Sequence, residues 1–377
     1  MVPAKLMRRF VVTAERSRYP VVVGRGAWRE LRKLVARGYS SVFILTERVI
    51  WRRWGETFSL EAGLEGAPGA PQVITIPGGE RSKSLAQAER VADALAKRGA
   101  DRRSLLVLFG GGVIGDLGGF VASTYMRGID AVQAPTTLVG QVDSAVGGKT
   151  AVNVGASKNL VGTFYPPRLV LAEPAVLGSL SQRIFRSGLY EVAKHAILAG
   201  PELFDRLERT LATLGPGDTA ALETMVAKAV KVKVDVVNRD EREGGLRHVL
   251  NLGHTFGHAL EAATGYRRFL HGEAVGWGLL AVALLAERLG HLTSRVEAGR
   301  IRGLVRAIGP LPSIGGVAPA KIARLLPRDK KTVAGTIHWV MPERIGKVRI
   351  VTGVPLAAAE AAWRELQQGN GANRTLE

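Results

Sequence analysis

Histidines and carboxylates at helical spacing are the first features of this chain that could do chemistry. His254 and His258 lie four residues apart, so a helix would put both imidazoles on one face. His271 opens the next apolar segment, so three of the seven histidines fall within eighteen positions. Two imidazoles can bind a divalent cation when a third donor completes the set. The chain has no cysteine, so that donor is not a thiolate. Glu191 and Lys194, one turn apart in another helical stretch, offer a carboxylate and a cation. Spacing alone leaves open which of these groups act together.

Further segments suit anions. Gly110-Gly111-Gly112-Val113-Ile114-Gly115-Asp116 follows an apolar run and opens a helical one. Glycines let a backbone approach a pyrophosphate, and a helix N-terminus turns free N–H groups toward it. Gly110, Gly112 and Gly115 match the G-x-G-x-x-G spacing, but no ribose-binding acid is evident about 20 residues further on. Downstream come Pro135-Thr136-Thr137, Gln141-Val142-Asp143-Ser144, Gly147-Gly148-Lys149-Thr150, Asn153, Lys158 and Asn159. The spacing is not that of a P-loop, yet lysines and amides beside glycine turns suit phosphate or carboxylate. Lys228, Lys231, Lys233, Arg239, Arg242 and Arg247 lead into the histidine segment, and Asp329-Lys330-Lys331 lies near the end. Such cations beside a carboxylate–histidine set point to a small polyanionic substrate.

These groups need a scaffold, and the pattern supplies one in two textures. Residues 9–13, 20–23, 41–45, 72–76 and 104–109 read as strands, with helices over 28–37 and 84–98. That alternation predicts an α/β layer fold. Beyond about residue 178 helical periodicity takes over, at 184–199, 217–239, 247–264, 271–289 and 295–308, with a short strand at 346–352. The expected division is therefore 1–178 and 179–377.

Composition narrows the class. Hydrophobic residues at 46% and charged residues at 23% exclude a mainly disordered chain. The 46 glycines have no collagen period and belong in turns and close-approach loops. Without cysteine, a disulfide scaffold and a catalytic thiol are excluded. The formal charge of +19 is spread along the chain, with no basic block interleaved with aromatics. It is expected to draw in a small anion rather than nucleic acid. The longest apolar run, Ala274 to Ala286, is thirteen residues, short of the ~20 that span a bilayer. With no signal peptide evident, a cytoplasmic protein without membrane contact is expected.

In this order the motifs resemble those of the 3-dehydroquinate synthases, within the sugar phosphate cyclases. The blocks are Pro77-Gly78-Gly79-Glu80 with Lys83, the glycine segment at 110–116, Tyr125-Met126-Arg127-Gly128, Gln141 to Thr150, and Lys158-Asn159. They continue with Glu191-Val192-Ala193-Lys194, Asp240 to Arg247, Asn251 to His258, His271 to Val275, and Arg328-Asp329-Lys330-Lys331. The resemblance implies a Rossmann-like nucleotide-binding α/β domain followed by an all-α domain. It implies a homodimeric lyase of the shikimate pathway, which leads through chorismate to aromatic amino acids. Such an enzyme uses NAD and a metal, Zn2+ or Co2+, to turn 3-deoxy-D-arabino-heptulosonate 7-phosphate into 3-dehydroquinate and phosphate.

Carried over motif by motif, the resemblance makes Glu191, His254 and His271 the metal ligands. It leaves His258 to handle protons or face the phosphate. Arg127, Asp143, Lys149, Asn159, Lys194, Lys233, Arg247 and Asn251 would line the substrate site, joined by Lys330 in preference to Lys331. Glu47, Glu80, Lys83, Gly111, Gly112, Val113, Asp116, Thr136, Thr137, Lys149 and Lys158 would meet or border the dinucleotide. Three positions depart from the common pattern. Val154-Gly155 stands where His-Pro is frequent, His195 where Tyr is frequent, and Glu47 where an Asp or Asn touches the adenosine ribose. The competing readings are a sibling cyclase, such as a 2-deoxy-scyllo-inosose synthase, and a metal-dependent polyol dehydrogenase. A basic nucleic-acid binder on an inactive enzyme fold would have no use for the three ligands.

Overall fold

The computed structural model describes residues 7–66, 71–155, 157–328 and 336–372. The chain divides into two compact units, Met1–Ser181 with Gly215–Arg242, and Gln182–Leu214 with Glu243–Glu377.

The first unit opens with β1 (Arg8–Thr13) and β2 (Arg18–Val23). It then alternates through α1 (Glu30–Val35), β3 (Val42–Glu47), α2 (Arg48–Ala62), β4 (Gln72–Ile76), α3 (Leu85–Lys97), β5 (Leu105–Gly110), α4 (Gly112–Thr124) and β6 (Asp130–Pro135). A hairpin of β7 (Lys149–Val154) and β8 (Ser157–Phe164) precedes β9 (Leu169–Ala172). Seven strands form one sheet in the order β1-β2-β9-β6-β5-β3-β4, parallel except for the β1–β2 pair. Every residue of β5 is buried, which explains its unbroken apolar run: a parallel strand is covered on both faces. From β3 the chain moves outward to β4, then returns on the other side of β3 as β5 and continues to β6. The carboxyl ends of β3 and β5 therefore flank a topological switch point, where open α/β sheets bind ligands.

Helix α4 carries four glycines, each costing roughly 1 kcal/mol of helix propensity against alanine. Packing overrides that cost. A Cβ at Gly118 would lie 2.3 Å from Leu108 Cδ2, and one at Gly115 would lie 2.7 Å from Gln133 Oε1. Only glycine lets this helix lie so close to the sheet.

The chain next runs through α5 (Gln182–Ala199) and α6 (Pro201–Thr210), then α7 (Thr219–Arg239). The expected two-way division differs at α7, which groups with the first unit. Its apolar face, including Leu222, Val226, Val230 and Val237, is buried, and the helix packs on β1, β2 and the turn Gly140–Ser144.

The second unit continues with α8 (His254–Ala263), α9 (His271–Arg288), α10 (Arg295–Ala307), α11 (Pro319–Leu325), a hairpin of β10 (Trp339–Arg344) and β11 (Lys347–Val351), and α12 (Leu356–Ala372). The hairpin qualifies the all-α expectation. The thirteen-residue apolar run is the middle of α9, which is buried almost all round by α5, α8, α10 and α12. Among the described residues no helix is long and apolar enough to cross a membrane. The single helix expected over 247–264 is broken. Leu246–Asn251 forms a short 3-10 turn, Gly253 takes φ 78°, and α8 begins at His254.

Candidate active site

In the first unit the residues expected at the dinucleotide follow the carboxyl ends of neighbouring parallel strands. Glu47 ends β3, Glu80 and Lys83 follow β4, Gly111, Gly112, Val113 and Asp116 follow β5, and Thr136 and Thr137 follow β6. Lys83 is 4% exposed and ion-paired with Asp116. The glycine loop is tightly walled: a Cβ at Gly111 would stand 3.1 Å from Thr137 Cγ2, and one at Gly112 3.4 Å from Ser144 Oγ. A Cβ at Gly78 would fall 2.4 Å from Glu47 Oε2, so the Pro77-Gly78 backbone closes over that carboxylate. Burial pushes the Glu47 carboxyl above its ordinary value. A strand-end acid thus stands upstream of the glycine loop and not downstream of it. The chain passes through β3 before β5, yet the two strands are neighbours in the sheet. A backbone cradle, a helix N-terminus and a strand-end acid at a switch point fit a dinucleotide.

The residues of this unit expected to meet anions lie on turns, on the hairpin and on α7. Asp143, in the turn Gly140–Ser144, is ion-paired with Lys233 of α7. Lys149 is exposed at the start of β7, and Lys158 and Asn159 lie in β8. Asn159 has φ 53°, a left-handed conformation that asparagine tolerates. Asn153, in β7 opposite a register irregularity in β8, holds this corner. Its Nδ2 donates to Glu80 Oε1 at 2.9 Å, and its Oδ1 accepts from the Asn159 backbone N–H at 2.8 Å. Arg127 is exposed on the turn after α4, where Met126 and Arg127 take φ 48° and 68°.

In the second unit Glu191, His254 and His271 offer donor atoms that all lie within 4.8 Å of one another. They come from α5, α8 and α9, and glycines are what let these helices meet. A Cβ at Gly272 would lie 1.8 Å from Ser187 O of α5, and one at Gly276 would lie 2.7 Å from Tyr190 Cδ1. On another face of α9, a Cβ at Gly278 would lie 1.8 Å from Gly253 O, beside the start of α8. The expectation that the glycine excess belongs in turns and loops misses these helix-crossing positions.

The geometry of these donors follows from that close packing. His254 Nε2 is 3.6 Å and His271 Nε2 is 3.3 Å from Glu191 Oε1. His254 Nδ1 lies 3.1 Å from Leu252 O, so a proton held there turns the Nε2 lone pair toward Glu191. Lys194 Nζ is 2.6 Å from Glu191 Oε2, and both side chains are fully buried. Burial would pull His271 down, but the carboxylates of Glu261 and Glu191 outweigh it and push it up to about 10. Two imidazoles and one carboxylate with the nitrogens already oriented fit a divalent cation such as zinc or cobalt.

A second donor group, His258, Glu261 and His271, shares one member with the first. The His258 ring centroid is 5.5 Å from that of His254 and 5.9 Å from that of His271. Arg247 and Asn251, 1% and 8% exposed, lie on the 3-10 turn before α8. Asn251 Nδ2 donates to Glu243 Oε1 at 3.2 Å. His195 is fully buried. Lys330 and Lys331 lie outside the described residues.

The sequence pattern did not single out Glu261, and it gave Asn153 and Glu243 no partners, which the structure shows to be Glu80, Asn159 and Asn251. Glu261 did carry a signal, since it follows His258 by three positions and His254 by seven on one helix.

Comparison with known proteins adds independent information. Family models described as 3-dehydroquinate synthase N-terminal and C-terminal match residues 73–187 and 188–332. The 3-dehydroquinate synthase of Solibacter usitatus is 41% identical over 92% of this chain and 96% of its own. That of Koribacter versatilis is 44% identical over 96% and 98%. Among solved structures, the 2-epi-5-epi-valiolone synthase of Streptomyces hygroscopicus subsp. jinggangensis, with NAD+ and Zn2+ bound, aligns with a TM-score of 0.85. It is 30% identical, over 95% of this chain and 99% of that one.

Proposed function

Because the chain belongs to the 3-dehydroquinate synthase family, we propose that it converts 3-deoxy-D-arabino-heptulosonate 7-phosphate to 3-dehydroquinate and phosphate, as a lyase of the shikimate pathway. The observation that carries this reading is the convergence of Glu191, His254 and His271 from three helices, in a chain whose other unit holds a glycine-walled cradle. The overall conversion is oxidation of a ring alcohol, loss of phosphate, reduction, ring opening and intramolecular aldol closure.

Glu47, Glu80, Lys83, Gly111, Gly112, Val113, Asp116, Thr136, Thr137 and Lys158 would hold NAD, which supplies a hydride acceptor that returns what it takes. Glu191, His254 and His271 would hold Zn2+ or Co2+, which lowers the pKa of an alcohol and polarises the ketone derived from it.

The chain's own groups do the rest. Lys194 sets a fixed positive charge beside Glu191 in a fully buried site, where a developing oxyanion is stabilised most. Arg247, held rigid by burial, and Asn251, steered by Glu243, orient the substrate's polar end. Asp143 and Lys233 hold each other until a substrate group takes one of them. Arg127, Lys149, Asn159 and Lys330 add cations and an amide for carboxylate and phosphate. His258, one turn beyond His254, carries a proton to or from the reacting oxygens.

We also assign the chain to the cytoplasm, consistent with its lack of cysteine. It forms a homodimer in this reading. Leu160 and Phe164, 55% and 43% exposed, both lie in β8 and suit a second copy.

One rival has an observation in its favour, the match to a valiolone-type cyclase. The two readings separate on substrate. The heptulosonate phosphate, sedoheptulose 7-phosphate and glucose 6-phosphate are each incubated with the NAD- and zinc-loaded chain, and the carbocycle is identified by mass and NMR. Dehydroquinate from the first alone is expected. Turnover of only one of the other two overturns the assignment in favour of the sibling cyclase.

A further inference from the structure

Glu261 stands in the last turns of α8 and is 2% exposed, so its carboxylate has been taken out of water. Burial of that kind is costly unless the group is engaged. Its Oε2 lies 3.3 Å from His271 Nδ1, while Nε2 of the same ring lies 3.3 Å from Glu191 Oε1. The imidazole is therefore strung between two buried carboxylates, one at each nitrogen. His254 is arranged in the same way, with Nδ1 on the Leu252 carbonyl and Nε2 toward Glu191. In both rings Nδ1 faces an acceptor and Nε2 faces the ligand carboxylate.

We propose that Glu261 is a positioning residue: it accepts the Nδ1 proton of His271 and so fixes the ring orientation and tautomer that present Nε2 to the metal. This rests on the reading of Glu191, His254 and His271 as the ligands. It also assigns a role to the second donor group, in which Glu261 orients His271 instead of ligating an ion with His258. A carboxylate behind a ligand histidine raises the basicity of the ligand nitrogen, and its loss typically costs 10–100-fold in metal affinity.

The test uses the full chain loaded with Co2+ alone. Affinity is read by chelator competition and coordination by the visible cobalt spectrum. The variants are Glu261→Ala, Glu261→Gln, His258→Ala and Glu191→Gln, each checked for fold by far-UV circular dichroism. The expected result for Glu261→Ala is 10–100-fold weaker binding with a shifted cobalt spectrum. Glu261→Gln keeps an acceptor oxygen and nearly the same volume, so it should retain more affinity than alanine, and His258→Ala should keep the wild-type spectrum.

Wild-type affinity and spectrum in both folded Glu261 variants overturn the proposal. So does complete loss of binding in Glu261→Ala together with His258→Ala, because Glu261 would then be a ligand. If Glu191→Gln binds cobalt like the wild type, the ligand reading itself fails. If Glu191→Gln loses cobalt while both Glu261 variants keep it, only the positioning role fails.

Discussion

Substituting alanine for Gly278 should separate helix propensity from helix packing in a single change. In an exposed helix, glycine to alanine gains roughly 0.5–1 kcal/mol. Gly278 lies inside α9, where the new Cβ would sit 1.8 Å from Gly253 O, 2.8 Å from Gly253 C and 3.0 Å from Gly257 N. All three are backbone atoms, so no side chain can swing away. An ordinary C···O contact is about 3.3 Å, which asks α8 and α9 to part by about 1.5 Å. Overpacking of this kind costs about 1–3 kcal/mol. The same displacement moves His254, next in sequence to Gly253, away from His271, by several times the ~0.2 Å tolerance of metal–ligand distances.

Gly299 and Gly303 in α10 are the controls, since a Cβ at either meets nothing within 4 Å. Urea unfolding of the metal-free chain should show Gly278→Ala less stable than wild type, and Gly299→Ala and Gly303→Ala equally or more stable. Chelator competition should show weakened Zn2+ binding in Gly278→Ala alone. A Gly278→Ala chain with unchanged stability and full zinc affinity would refute the view that this backbone contact sets the spacing of the ligands.

Three further outcomes are expected. Burial raises the Glu173 carboxyl to about 7, against backbone N–H donors at Gly26, Ala175 and Ala27 that pull it down. The folded chain then binds this proton more tightly than the unfolded one, so the stabilisation is complete below pH 4.5 and is lost as pH rises toward 7. The loss is on the order of 3 kcal/mol, and Glu173→Gln should flatten that window relative to wild type in urea melts at stepped pH. Asn153→Ala removes the hydrogen bonds to Glu80 and Asn159, and at about 1 kcal/mol for the cofactor-side bond it should weaken NAD binding about fivefold by calorimetry. Arg127→Ala should raise KM for the sugar phosphate far more than the Kd for NAD, and equal losses in both would remove Arg127 from the substrate side.

Local pattern made the parallel sheet legible. The run Leu105–Gly110 is apolar because both of its faces are covered, and Gly110–Gly112 follows it because the backbone there has to be bare. Pattern failed where a property depends on residues distant in sequence. Thr219–Arg239 reads as one more helix of the helical half, and only the sheet it covers assigns it to the first unit. Residues 247–264 read as one helix because the apolar spacing continues through Gly253, whose positive φ has no periodic signature. Spacing registers His254 with His258 as an i,i+4 pair but cannot register partners on other helices. The meeting of His254 with His271 and Glu191 depends on glycines inside α9 that look, in sequence, like breakers. The family motifs pointed to those three residues where spacing could not. Glu261 belonged to no motif, so only its distance to His271 singled it out.

The borrowed hydride is tested most directly by following phosphate release and absorbance at the NADH band in one cuvette, with the heptulosonate phosphate, Zn2+ and catalytic NAD. Many phosphates released per NAD, no net NADH, and complete loss of release on chelation are the expected results. NADH accumulating in step with substrate consumption, or phosphate release that survives metal removal, would contradict the proposed reaction.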